Sequence, residues 1–94
     1  MDNEEAIRLL EQELAPFRGL SYDALVHKIP DSPEVCERSG AGGTTYQVEV
    51  EVLWELRPGG NVLVIGSIDD GGWRAFLPLT RSFMRSPGET FVGE

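Results

Sequence analysis

Thr44-Thr45-Tyr46-Gln47-Val48-Glu49-Val50-Glu51-Val52-Leu53-Trp54-Glu55-Leu56 decides the fold. Tyr46, Val48, Val50, Val52, Trp54 and Leu56 occupy every second position, with Gln47, Glu49, Glu51, Leu53 and Glu55 between them. A period of two over this length reads as one long strand with a greasy side. The stretches on either side read as its neighbours. Gly40-Ala41-Gly42-Gly43 makes a turn from a short strand, Val35 to Ser39. Arg57-Pro58-Gly59-Gly60-Asn61 makes a turn into a third strand, Val62 to Asp69. Asp70-Gly71 signals a two-residue hairpin, because both central residues of that turn need positive φ. The fourth strand then runs from Trp73 to Thr80, and residues 81–94 show no clear period.

Upstream of Pro30 the period changes. Asp2 or Asn3 can cap a helix with Glu4 and Glu5 at its positive end. Ile7, Leu10 and Leu14 share one face, widened by Leu9. Pro16 is expected to end this helix, since it disfavours helical geometry in Ala15. Ser21 caps a second helix, Tyr22 to Ile29, in which Tyr22, Leu25, Val26 and Ile29 fall on one side. The expected fold is α+β (ααββββ), a single domain over residues 1–94. Two N-terminal helices pack on one face of a four-stranded antiparallel meander.

Pairing across the expected turns sorts the side chains. The Asp70-Gly71 loop sets Ile68 opposite Trp73, Gly66 opposite Ala75 and Val64 opposite Leu77. A three-residue loop at Pro58-Gly59-Gly60 sets Trp54 opposite Val64 and Val50 opposite Ile68. One face then collects Tyr46, Val48, Val50, Val52, Trp54, Val64, Ile68, Trp73, Leu77 and Leu79 as the core. Gly66 and Ala75 leave a shallow seat for a helix, and Trp54 is expected among the positions most sensitive to truncation. The other face carries Glu49, Glu51, Ser67, Asp69 and Arg74. It also carries an apolar group, Leu53, Leu63, Ile65, Phe76 and Pro78, with Leu53, Ile65 and Phe76 in a row. An uncovered apolar group of this kind is a candidate contact surface for a protein partner or, most simply, for a second copy. The alternative is that the C-terminal segment, with Phe83, Met84, Phe91 and Val92, folds back over it.

Composition narrows the function. The chain has 94 residues, 40% apolar and 26% charged, with a net charge of −8. Residues 1–15 carry five acids and one Arg, and residues 31–55 carry six acids and one Arg. Such a surface repels phosphate backbones, which argues against nucleic acid as a partner. No apolar run approaches the roughly 20 residues that span a bilayer. The start Met1-Asp2-Asn3-Glu4-Glu5 is unlike a basic signal peptide. A cytoplasmic location, without membrane association, is the expectation.

Catalytic chemistry finds little support. His27 is the one histidine and has no metal-binding neighbour at ligand spacing. Cys36 is the one cysteine, expected opposite Gln47 with no base beside it, and reads as a small hydrophobe. Gly40-Ala41-Gly42-Gly43-Thr44-Thr45 joins two strands and lacks a Walker lysine, so it reads as a hairpin turn. Glu49 and Glu51 share a face, and Asp69 is expected opposite Glu49. That trio could hold a hard cation such as Ca²⁺ or Mg²⁺, or simply be screened by water or relieved by Arg74.

Ile68-Asp69-Asp70-Gly71-Gly72-Trp73-Arg74-Ala75-Phe76, with Pro78-Leu79-Thr80 and Phe91-Val92-Gly93-Glu94, resembles a group of small bacterial proteins of unknown function. The resemblance covers the C-terminal half. It implies a bacterial, cytoplasmic protein and no activity, ligand or site residue. The expected role is a non-enzymatic protein-interaction or self-association module, without a cofactor. The alternative is a small-ligand or divalent-cation-binding domain using Glu49, Glu51 and Asp69.

Overall fold

The computed structural model describes residues 2–72, 78–88 and 91–92. Helix α1 runs Asn3–Arg18 and helix α2 runs Tyr22–Lys28. Five strands follow, β1 (Glu34–Ser39), β2 (Thr45–Trp54), β3 (Val62–Asp69), β4 (Leu79–Arg85) and β5 (Phe91–Val92). They form one antiparallel sheet in chain order. The α+β meander is as expected, with β5 added as a two-residue extension.

Asp2 caps α1, its carboxylate accepting the Glu5 N–H at 3.1 Å. Ala6, Leu10, Leu14 and Phe17 then bury one stripe. Pro16 does not stop the helix; it lies inside its last turn. Proline inside a helix costs about 3 kcal/mol, which burial of Phe17, worth about 1.5–3 kcal/mol, helps to offset. The end of α1 is also gripped from the sheet. The Arg85 guanidinium donates to the carbonyls of Arg18 and Leu20, which meets the need of a helix C-terminus for donors and positive charge. Ser21 caps α2 by accepting the Ala24 N–H at 3.1 Å, and Leu25 is its buried residue.

The first hairpin closes through a three-residue loop. Gly43 N–H donates to Gly40 O at 3.2 Å, Gly40 N–H donates to Thr44 O at 2.8 Å, and Gly43 takes a φ of +81°. A left-handed residue after such a turn restores the strand direction. Cys36 consequently lies opposite Val48, one residue from the expected Gln47. In the second hairpin, Pro58-Gly59 forms a turn of its own, with Gly60 N–H bonded to Arg57 O at 3.1 Å and Gly59 at φ +84°. β2 therefore ends at Trp54 and Leu56 is 82% exposed. Trp54 pairs with Val62 and Val50 with Gly66, two residues from the expected register. An even shift keeps every side chain on its expected face.

The Asp70-Gly71 hairpin is not formed. Gly71 N–H bonds the Asp69 side chain at 2.9 Å, and Gly72 N–H bonds the Asp70 side chain at 3.1 Å. These Asx turns take the Gly72 donor that a two-residue hairpin would have sent back across the ladder. Ile68 pairs with Leu79 instead of Trp73, and β4 extends through Arg85. Trp73, Arg74, Ala75, Phe76 and Leu77 lie outside the described residues.

The helices cover the face formed by Tyr46, Val48, Val50 and Val52 of β2, Val62, Val64 and Ile68 of β3, and Phe83 of β4. Trp54 sits at its rim, half-buried, with its ring 6.5 Å from that of Tyr22. Tyr46 and Phe83 are the largest fully buried side chains among the described residues, whereas Trp54, expected on the core face, is only half-buried. Gly66 is the seat of α1. A Cβ there would stand 2.8 Å from Leu10 Cδ1 and 3.1 Å from Leu14 Cδ2. Gly66→Val should cost about 1–3 kcal/mol by overpacking, read as a lower urea midpoint with an unchanged slope.

Candidate functional site

The sheet face away from the helices carries Val35, Glu37 and Ser39 of β1, and Thr45, Gln47, Glu49, Glu51 and Leu53 of β2. It continues with Leu63, Ile65, Ser67 and Asp69 of β3 and Thr80, Ser82 and Met84 of β4. These residues alternate with the buried ones along each strand. Four of the apolar ones sit together. Leu53 pairs with Leu63, Leu63 pairs with Met84, and Ile65 lies in the next row between Glu51 and Ser82. All four are half-buried, and both helices pack on the opposite side of the sheet.

Of the contact residues read from sequence, Leu53, Leu63 and Ile65 thus come together on this face. The row differs, because the two-residue shift puts Leu63, not Ile65, beside Leu53. Pro78 is half-buried just before β4, and Phe76 lies outside the described residues. Met84 is the member that sequence reasoning missed. Its strand was hidden because Arg81 and Arg85 occupy core-side positions where apolar residues would have revealed the period. Phe83 is buried under the helices and Met84 is in the ladder, so neither of these two residues folds back over the open face as the alternative required. β5 pairs beside Met84 and Arg85, extending the sheet in its own plane.

Charge is sorted across the sheet. Among the described strand residues the open face holds Glu37, Glu49, Glu51 and Asp69 and no basic residue. The strand arginines all turn to the helix side. Arg38 pairs with Glu13, Arg81 stands 3.9 Å from Glu11, and Arg85 holds the end of α1. On the open face Glu37 accepts from the Gln47 amide at 3.0 Å. Asp69 lies opposite Gln47 and not, as expected, opposite Glu49, whose partner is Ser67. Among the described residues no three His, Cys, Asp or Glu side chains gather as metal ligands would.

The other titratable groups do structural work. His27 Nδ1 lies 2.7 Å from the Asp23 carbonyl one turn back on α2. Burial, and then the carboxylate of Glu13, push the Cys36 thiol up from its ordinary value. A raised pKa leaves little thiolate, so Cys36 lacks the character of a nucleophile. Glu5 clamps the first hairpin to α1. Its carboxylate accepts from Tyr46 Oη at 2.8 Å and from Ala41 N–H at 2.8 Å. Gly40 fits under this clamp because a Cβ there would strike the Glu5 carboxylate and the Tyr46 ring.

Compared with protein-family models, with curated proteins and with solved structures, the chain matches none.

Burial, and then the bond to Glu5, push Tyr46 up from 10.0 to about 12. The unfolded chain therefore releases this proton first, so folding stability falls as pH rises from 10.0 through about 12. Urea unfolding of the wild type and Tyr46→Phe at increasing pH should show the wild type losing stability more steeply over that window.

Proposed function

We propose that the protein is a binding module that takes a basic, partly apolar protein segment on its open sheet face. The observation behind this reading is the juxtaposition on one face of Leu53, Leu63, Ile65 and Met84 with Glu37, Glu49, Glu51 and Asp69, with no cation on that face among the described strand residues. A contiguous apolar group at a protein surface, rimmed by charge, marks a contact surface even when its members are half-buried against one another. The apolar end supplies the desolvated area from which affinity comes, and the acidic end supplies steering and orientation. Stacking this face on a second copy opposes like charges, so a cationic partner suits it better. A sheet face of this kind suits contact with a partner surface better than the enclosure of a reacting substrate. Among the described residues no helix is long and apolar enough to cross a membrane. A cytoplasmic setting suits an acidic module with one free thiol.

A synthetic peptide of alternating Arg and Leu, titrated while amide resonances are followed, tests the reading. The expected result is saturable binding with shifts centred on Leu53, Leu63, Ile65 and Met84. Ile65→Glu should weaken it at least tenfold, about 1.4 kcal/mol. That substitution adds negative charge, so attraction by charge alone would make binding tighter. Unchanged or tighter binding by Ile65→Glu, or shifts confined to the helices, would overturn the proposal.

A further inference from the structure

We infer that the free edge of β1 is a self-complementary surface, pairing antiparallel with β1 of a second copy in the register that sets Cys36 opposite Cys36. The inference is independent of the open-face reading. β1 is the outermost strand, and β2 is its one partner in the sheet. Gly40 N–H donates to Thr44 O at 2.8 Å, so the even-numbered residues of β1 direct their backbone groups to β2. Val35 and Glu37 therefore direct N–H and C=O outward. The Arg38 guanidinium, which bonds the Glu37 carbonyl at 2.9 Å, reaches across this same edge. That carbonyl keeps a second lone pair for an incoming N–H. Val35 is 61% exposed. Asp31, Ser32 and Pro33, the exposed link before β1, border a small pocket with Phe17, Val50 and Val52.

Charge selects the occupant and the register. With Cys36 on the two-fold axis, Glu34 stands opposite Arg38 of the second copy on the helix side, twice by symmetry, and Val35 exchanges both backbone bonds with Glu37. Slipping one way by two residues sets Glu37 against Glu37. Slipping the other way sets Val35 against Val35 and leaves Arg38 beyond the ladder. Like charges directly opposite destabilise a pair, and opposite charges support it. The helices leave room. α1 is seated over Gly66 of β3. The two α1 helices would thus lie about five strand spacings apart, roughly 24 Å, against a helix diameter of about 10–12 Å. Pro33, which has no N–H, ends the ladder at both sides of the seam.

Sedimentation equilibrium of the wild type, Val35→Pro and Ile65→Glu tests this. The Val35 N–H makes no ladder bond within the chain, so proline at this position removes an intermolecular donor alone. The expected result is a wild-type dimer, at least tenfold weaker association for Val35→Pro with an unchanged circular dichroism spectrum, and an undisturbed dimer for Ile65→Glu. Amide exchange on the wild type keeps the test decisive if Val35→Pro fails to fold. The Val35 and Glu37 amides should be protected in concentrated samples and exchange freely on dilution. A wild-type monomer at every concentration, fast exchange at those two amides in a dimer, or a dimer lost in Ile65→Glu and retained in Val35→Pro would each overturn the inference.

Discussion

The close approach of α1 to the sheet at Gly66 is the constraint from which the rest follows. A hydrogen in place of a side chain lets Leu10 and Leu14 descend onto β3. That descent carries Phe17 into the core and brings Glu5 within reach of Tyr46 and the first turn. It also sets the height of the C-terminal end of α1, where Arg85 meets two helix carbonyls. The helix is thereby fixed at three points along its length, by a carboxylate at its start, by packing at its middle and by a guanidinium at its end. A small domain buries a modest fraction of its surface, so well-placed polar contacts of this kind carry weight that a larger core would render dispensable.

The clearest sequence signals were those in which burial and period coincide. The alternation from Tyr46 to Val52 survives in full, because every helix-facing residue there is apolar. Leu63 and Ile65 were assignable to the outer face for the same reason. Register was harder to read. Pro58-Gly59 closes its own turn and Asp69-Asp70 captures local amides, so turn residues that promised tight hairpins served local bonding. The faces of β2 and β3 nonetheless came out right, since both errors moved the pairing by an even number of residues, whereas the one-residue shift of β1 turned Cys36 to the helix side. β4 stayed hidden because its core-side positions include Arg81 and Arg85. A guanidinium can be buried where carbonyls await it, and no hydrophobic pattern announces that. The candidate surface was accordingly legible in β2 and β3 and invisible in Met84.

The sheet divides the chain's chemistry as well as its space. Among the described residues its strand cations face inward toward the carboxylates of α1 and the end of the helix, and its outward carboxylates have no strand-borne counter-charge on their own face. An acidic exterior of this sort discourages non-specific contact with other acidic macromolecules while leaving attraction to basic ones intact.

The grip of Arg85 on Leu20 joins groups 65 positions apart in the chain. A ribosome releasing roughly 5–20 residues per second exposes the greasy stripe of α1 several seconds before β4 emerges to hold it. During synthesis that stripe exists before the sheet on which it packs. The order in which the polypeptide is made thus runs opposite to the order in which its layers can be locked.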